Sequence, residues 1–136
     1  MTLRLVSLFL AIIIVSSFVL AACGTSAPSV VRTVPATGST NVDPATTNLR
    51  VTFDKPMAAG SWSWVYENKD EFPKITGSPR YLADNKTAVL PVKLAPTRRY
   101  TIWINTSRFQ NFKDQSGNPT EPFKLTFETM GAKEQD

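Results

Sequence analysis

The chain has no histidine. That absence removes every hydrolase built on an imidazole base and every histidine-ligated metal centre from the functions open to it. There is one cysteine, Cys23, so no disulfide can close within the chain and the fold must rest on packing. Charge is almost missing from the first 22 residues, where Arg4 stands alone before the apolar and small-residue run Leu5 to Ala22. Helical periodicity is scarce too, since beyond Val30 apolar residues do not recur every three to four positions over the length of a helix. The 15 Lys and Arg are scattered rather than clustered, which leaves no nucleic-acid footprint, and no nucleic-acid partner is expected.

What is present begins with the leader. A basic start, an apolar middle and small residues before a break have the layout of a secretory signal peptide. A membrane-spanning helix is the rival reading, and at about 18 residues the run is near the lower limit for one. The small, polar stretch Gly24 to Ser29, with Pro28, provides no basic stop-transfer flank. Residues Leu20-Ala21-Ala22-Cys23 resemble the lipobox of bacterial lipoproteins. That resemblance implies a diacylglyceryl thioether on Cys23, cleavage before it, and acylation of the new amino terminus, with palmitate among the chains. Each buried methylene contributes ~0.8 kcal/mol, and two or more chains hold a protein durably at a bilayer. Cys23 is therefore the expected lipidation site and the membrane the expected first partner. Gly24 is not the retention aspartate of such proteins, so sorting is expected to the outer membrane where there is one and to the cell membrane otherwise.

Removal of the first 22 of 136 residues leaves 114, enough for one domain with one core. Residues 23–29 read as the lipidated cysteine and a short tether, 30–130 as the domain, and the charged 131–136 as a frayed tail. Period-two alternation marks strands at Leu49 to Phe53, Tyr100 to Ile104 and Phe123 to Phe127. Fainter candidates are Val30 to Val34, Ser61 to Tyr66, Arg80 to Leu82 and Thr87 to Val92. Ten prolines and six glycines fall mostly between them, as turns require. Ser107 to Lys113 is the one stretch suited to a helical turn, with Phe109 and Phe112 on one side. About seven antiparallel strands in some 100 residues is the profile of an all-β, immunoglobulin-like sandwich. A closed barrel of equal strand count has the same periodicity.

Two longer stretches carry a resemblance. "TVPATGSTNVDPATTNLRVTFDKPM", residues 33–57, and "FKDQSGNPTEPFKLTFET", residues 112–129, resemble the opening and the closing hairpin of the bacterial Ig-like domain known from S-layer proteins, and "YTIWIN" matches its penultimate strand. The middle, "SWSWVYENKDEFPKITGSPRYL", is richer in tryptophan and proline than the generic core of that family. The resemblance implies a β-sandwich used as a spacer, adhesion or accessory module, and it brings no catalytic residues. In physical terms Pro56 ends a strand and frees Met57 to plug the sandwich, while Asp114 with Gly117 or Asn118 builds a turn.

Asp43, Asp54, Asp70, Glu71, Asp84, Asp114 and Glu121 could in principle supply a glycosidase-like acid and base, but most stand in turn clusters, where carboxylates cap backbone groups. Asp114-x-Ser116-Gly117-Asn118 lacks the further carboxylates of a dedicated calcium loop. No catalytic residue, cofactor or metal is expected. Trp62, Trp64 and Tyr66 would share one face of a strand, as core or as a row of rings for sugar or peptide. Trp103 lies between the inward Ile102 and Ile104, so it should point outward, and with Arg98 and Arg99 it forms the expected contact set for an envelope protein or polysaccharide. The function expected is thus a non-catalytic, lipid-anchored binding, adhesion or accessory module. A structural subunit of a surface assembly, or a small carboxylate hydrolase, is the alternative.

Overall fold

The computed structural model describes residues 26–134; the leader and Cys23 lie outside the described residues. Among the described residues nine strands form two sheets: β1 (Val30–Val34), β2 (Ser39–Val42), β3 (Asn48–Phe53), β4 (Trp64–Val65), β5 (Lys74–Ile75), β6 (Arg80–Tyr81), β7 (Thr87–Lys93), β8 (Arg99–Ile104) and β9 (Phe123–Thr129). One sheet has the order β1-β3-β7-β5, with β6 also on β7; the other is β2-β9-β8-β4. Facing sheets of this kind make a sandwich, which settles the alternative of a barrel.

The alternation read from the sequence is what packs the two layers. Leu49, Val51 and Phe53 of β3, Ala88, Leu90 and Val92 of β7, Tyr100, Ile102 and Ile104 of β8, and Leu125 and Phe127 of β9 meet in one core. Burial of each large side chain contributes about 1.5–3 kcal/mol. Met57 and Phe112 close one end of it, both almost fully enclosed, and Phe112 stacks at 5.4 Å on Phe53. This end also receives the chain from the amino terminus, because Val30 pairs with Phe53 and the Thr120 hydroxyl donates to the Pro28 carbonyl at 2.8 Å. We call it the proximal end. The β7–β8 connection, Leu94 to Arg98, lies at the opposite, distal end, one strand length of roughly 20 Å away.

Several expectations need correction. Two further strands exist, β2 and β5, and β2 runs parallel to β9 rather than antiparallel. Ser-Thr-Asn-Val and Lys-Ile carry no alternation long enough to announce them. Ser107 to Lys113 forms no helical turn. There the Thr106 hydroxyl accepts from the Arg108 and Phe109 amides, and Phe112 is drawn inward while Phe109 stays 48% exposed. A short 3₁₀ turn occurs instead at Lys69–Glu71, where the Asn68 side chain accepts from the Asp70 amide. The strand over Ser61 to Tyr66 shrinks to β4. Finally, the part of the tether that is described is docked: the Asp54 carboxylate accepts from the Ser29 amide at 2.9 Å, and Lys55 Nζ donates to the Ser26 carbonyl.

Candidate functional site

Several carboxylates are occupied in holding loops. Asp84 accepts from the Lys86 and Thr87 amides at 2.9 and 3.0 Å and from the Thr87 hydroxyl at 2.7 Å. The Lys86 amide, then the Thr87 hydroxyl, hold its carboxyl below the ordinary range. Asp114 accepts from the amides of Ser116 and Asn118, both at 2.9 Å, with Gly117 in the left-handed region at φ +88°. Burial pulls this carboxyl upward, but the Asn118 and Ser116 bonds and the Lys55 charge together outweigh it and the net shift is down. The loop is a turn in which both side-chain oxygens of Asp114 are committed. Glu71 accepts from the Thr101 hydroxyl at 3.0 Å, and Asp43 from the Ala45 amide at 2.9 Å.

The three proposed contact residues do not converge. Trp103 does face outward, but Lys124 lies 5.6 Å from its ring centre and is itself paired with Glu67 at 2.9 Å. Arg99 sits four residues back along β8, about 13 Å away, beside Glu128 at 3.9 Å. Arg98 belongs to the distal connection. Its amide donates to the Thr129 hydroxyl at 2.9 Å and its carbonyl accepts from the Thr129 amide at 2.8 Å, so the backbone is fixed while the side chain is exposed.

Two grooves flank the segment between β4 and β5. The first, of about 360 Å³, is aromatic and is walled by Trp62, Trp64, Tyr66, Ile75 and Phe109. Here the tryptophan row takes both of its expected roles. Trp64 meets Phe112 edge-on at 5.0 Å and Trp62 packs on Tyr81 at 6.2 Å, while Tyr66 remains 50% exposed. The second groove, of about 440 Å³ at the distal end, carries Lys69, Lys74, Lys93 and Arg98 around Phe72 and Tyr100, with Asp70 as its one carboxylate. Lys69 joins the two, since its Nζ also lies 5.5 Å from the centre of the Tyr66 ring. Arg98 was named from the sequence and borders this groove, whereas the three lysines were not named; they lie 5 to 24 residues apart in the chain and are gathered by the pairing of β5 with β7 and by the 3₁₀ turn that carries Lys69.

A solved S-layer protein, rSbsC(31-844), is similar over 77% of this chain with a TM-score of 0.48 and 20% identity, and the match spans 14% of that protein's length. No curated protein sequence matches the chain. The family profile described as "Bacterial Ig-like domain" matches residues 24–129, most of the chain, and the fold is a two-sheet sandwich; the chain belongs to the bacterial Ig-like domain family.

Proposed function

We propose that this chain is a non-catalytic, lipid-anchored module of the bacterial envelope that works by binding or adhesion close to the membrane. Membership of a family of generally non-catalytic surface domains supports the coarse reading. The observation that carries the finer one is the docking of Ser26 to Ser29 on the proximal end, three residues after Cys23. So short a link spans at most about 10 Å even when extended. Acyl chains on Cys23 would hold the proximal end against the bilayer and leave the distal end facing away from it. Asp43, Asp84 and Asp114 serve turns, as befits a scaffold rather than a hydrolase.

Mass spectrometry of the amino terminus tests this directly. The expected product begins at Cys23 with a diacylglyceryl thioether, partitions into the detergent phase, and loses both properties in Cys23→Ser. An unmodified Cys23 in an intact 136-residue chain would refute the anchoring.

A further inference from the structure

We infer that the distal groove binds an anionic glycan chain, with the charges of the chain held by Lys69, Lys74, Lys93 and Arg98. The inference rests on the binding-module reading and names its ligand. Its first support is an uncompensated charge pattern. Lys74 of β5 and Lys93 of β7 are direct cross-strand partners, which places two ammonium-bearing side chains side by side. Like charges so placed are destabilising. The same chain avoids that cost elsewhere, for Arg99 of β8 faces Glu128 of β9 in register. Among the described residues the ion pairs are those of Lys55, Arg99, Lys124 and Lys133, so none of the four groove cations has a carboxylate partner. Four cations against Asp70 alone form a site with positive charge to spare.

The kind of anion follows from the surroundings. Half-buried Phe72 lines the groove, and Lys69 connects it to the half-exposed Tyr66 and the aromatic groove beyond, while Tyr100, a core residue, forms only the floor. Rings stack on the faces of sugars, and cations take the phosphate or carboxylate groups between them; a chain offering both can lie along both grooves. A lipid headgroup fits less well. The groove is concave and lies at the end opposite Pro28, so it faces away from any bilayer that holds Cys23.

The test uses the full lipidated chain in neutral detergent micelles at about 0.1 M salt, where screening acts over roughly 10 Å. Binding is read by fluorescence anisotropy of labelled dextran phosphate and of labelled polygalacturonate, which separate phosphate from carboxylate recognition. Neutral dextran, single-stranded DNA and phosphatidylglycerol vesicles are compared in the same assay. At least one acidic glycan probe is expected to bind, more weakly as salt rises, and dextran is not. Lys74→Gln/Lys93→Gln and Arg98→Gln should each weaken binding about tenfold or more, whereas Arg32→Gln, on the far edge strand β1, should not. Binding of neither acidic probe, unchanged affinity in the double variant, or tighter binding of DNA or vesicles than of both glycans would overturn the inference. An unlipidated Cys23 would remove the anchor but leave these titrations readable, so the two failures are distinct.

Discussion

Asn105 is the residue whose replacement should reveal most about how this sandwich is closed. It is fully enclosed, stands at φ +61°, and follows directly on β8. Its amide group donates to the Phe112 and Thr120 carbonyls at 2.8 and 3.1 Å, and its carbonyl oxygen accepts from the Phe112 amide at 2.9 Å. Asn105→Ala strands the buried Phe112 N–H, which costs about 1–3 kcal/mol, and weakens the satisfaction of the Thr120 carbonyl by about 1 kcal/mol more. The Phe112 carbonyl keeps the Thr120 amide at 2.9 Å. Left-handed backbone adds about 1 kcal/mol for alanine, which lacks the local bonding that lets asparagine visit that region. The sum, about 3–5 kcal/mol, is a large part of the 5–15 kcal/mol typical of a domain. With urea m-values of about 1–2 kcal/mol/M, the midpoint should fall by roughly 1.5–5 M at unchanged slope. Asn105→Gly relieves the backbone while losing the same bonds, so it should recover about 1 kcal/mol over alanine. A midpoint shift below about 0.5 M for alanine, or a glycine variant weaker than alanine, would refute this account.

Other perturbations test the remaining parts. Trp64→Ala should cost about 2–4 kcal/mol by thermal or urea melting, and Trp103→Ala under about 1 kcal/mol, since Trp64 packs on Phe112 whereas the outward Trp103 lies beside Lys124. The buried indole N–H of Trp64 has no hydrogen-bond partner, so Trp64→Phe should be nearly neutral by the same assay. Thr120→Val removes the bond to the Pro28 carbonyl; hydrogen exchange over 29–31 should quicken and stability drop by about 1 kcal/mol. Asp84, whose folded carboxyl lies below its unfolded value of about 3.9, adds stability that is present above that value and lost as pH falls through the lower, folded one. Accordingly Asp84→Asn should melt lower than the parent at neutral pH, with the gap closing below about pH 4. Lys93→Glu turns the like-charged pair with Lys74 into a complementary one, and the melting temperature should rise by a few degrees.

The strands that could be read in the sequence are those in which one face is core for several positions running. Leu49, Val51 and Phe53, or Tyr100, Ile102 and Ile104, repeat the inward residue often enough to fix both strand and register. β2 could not be read, because Ser39 to Val42 commits only Val42 to the core and is held by its parallel pairing with β9. The same holds for β5, where Lys74 and Ile75 are both exposed and the pairing with β7 does the ordering. Phe109 and Phe112 suggested a helical face by their spacing, yet only Phe112 could reach the core once Asn105 had captured its backbone. For the site, Trp103 was rightly placed outward by alternation alone, whereas the distal cations depend on which strands become neighbours. No spacing along the chain encodes that.

The two ends of the sandwich follow opposite rules, and the contrast bears on what each is for. At the proximal end the buried backbone around Phe112 is held by side chains: Asn105 bonds both sides of Phe112, Thr120 reaches Pro28, and Asp114 folds its own turn beside Met57. Such a network is rigid because each member satisfies another. The distal connection has its backbone equally well tied, by Thr129 to Arg98 and by the Tyr100 hydroxyl to the Ala95 amide. Its side-chain charges, by contrast, are left unmatched around an open groove. Rigid backbone with unanswered charge is the state in which a ligand gains most, since it need not order the loop and finds cations already close together. Stability sacrificed at Lys74 and Lys93 is then explained by what the groove holds, as marginal sites in folded domains commonly are.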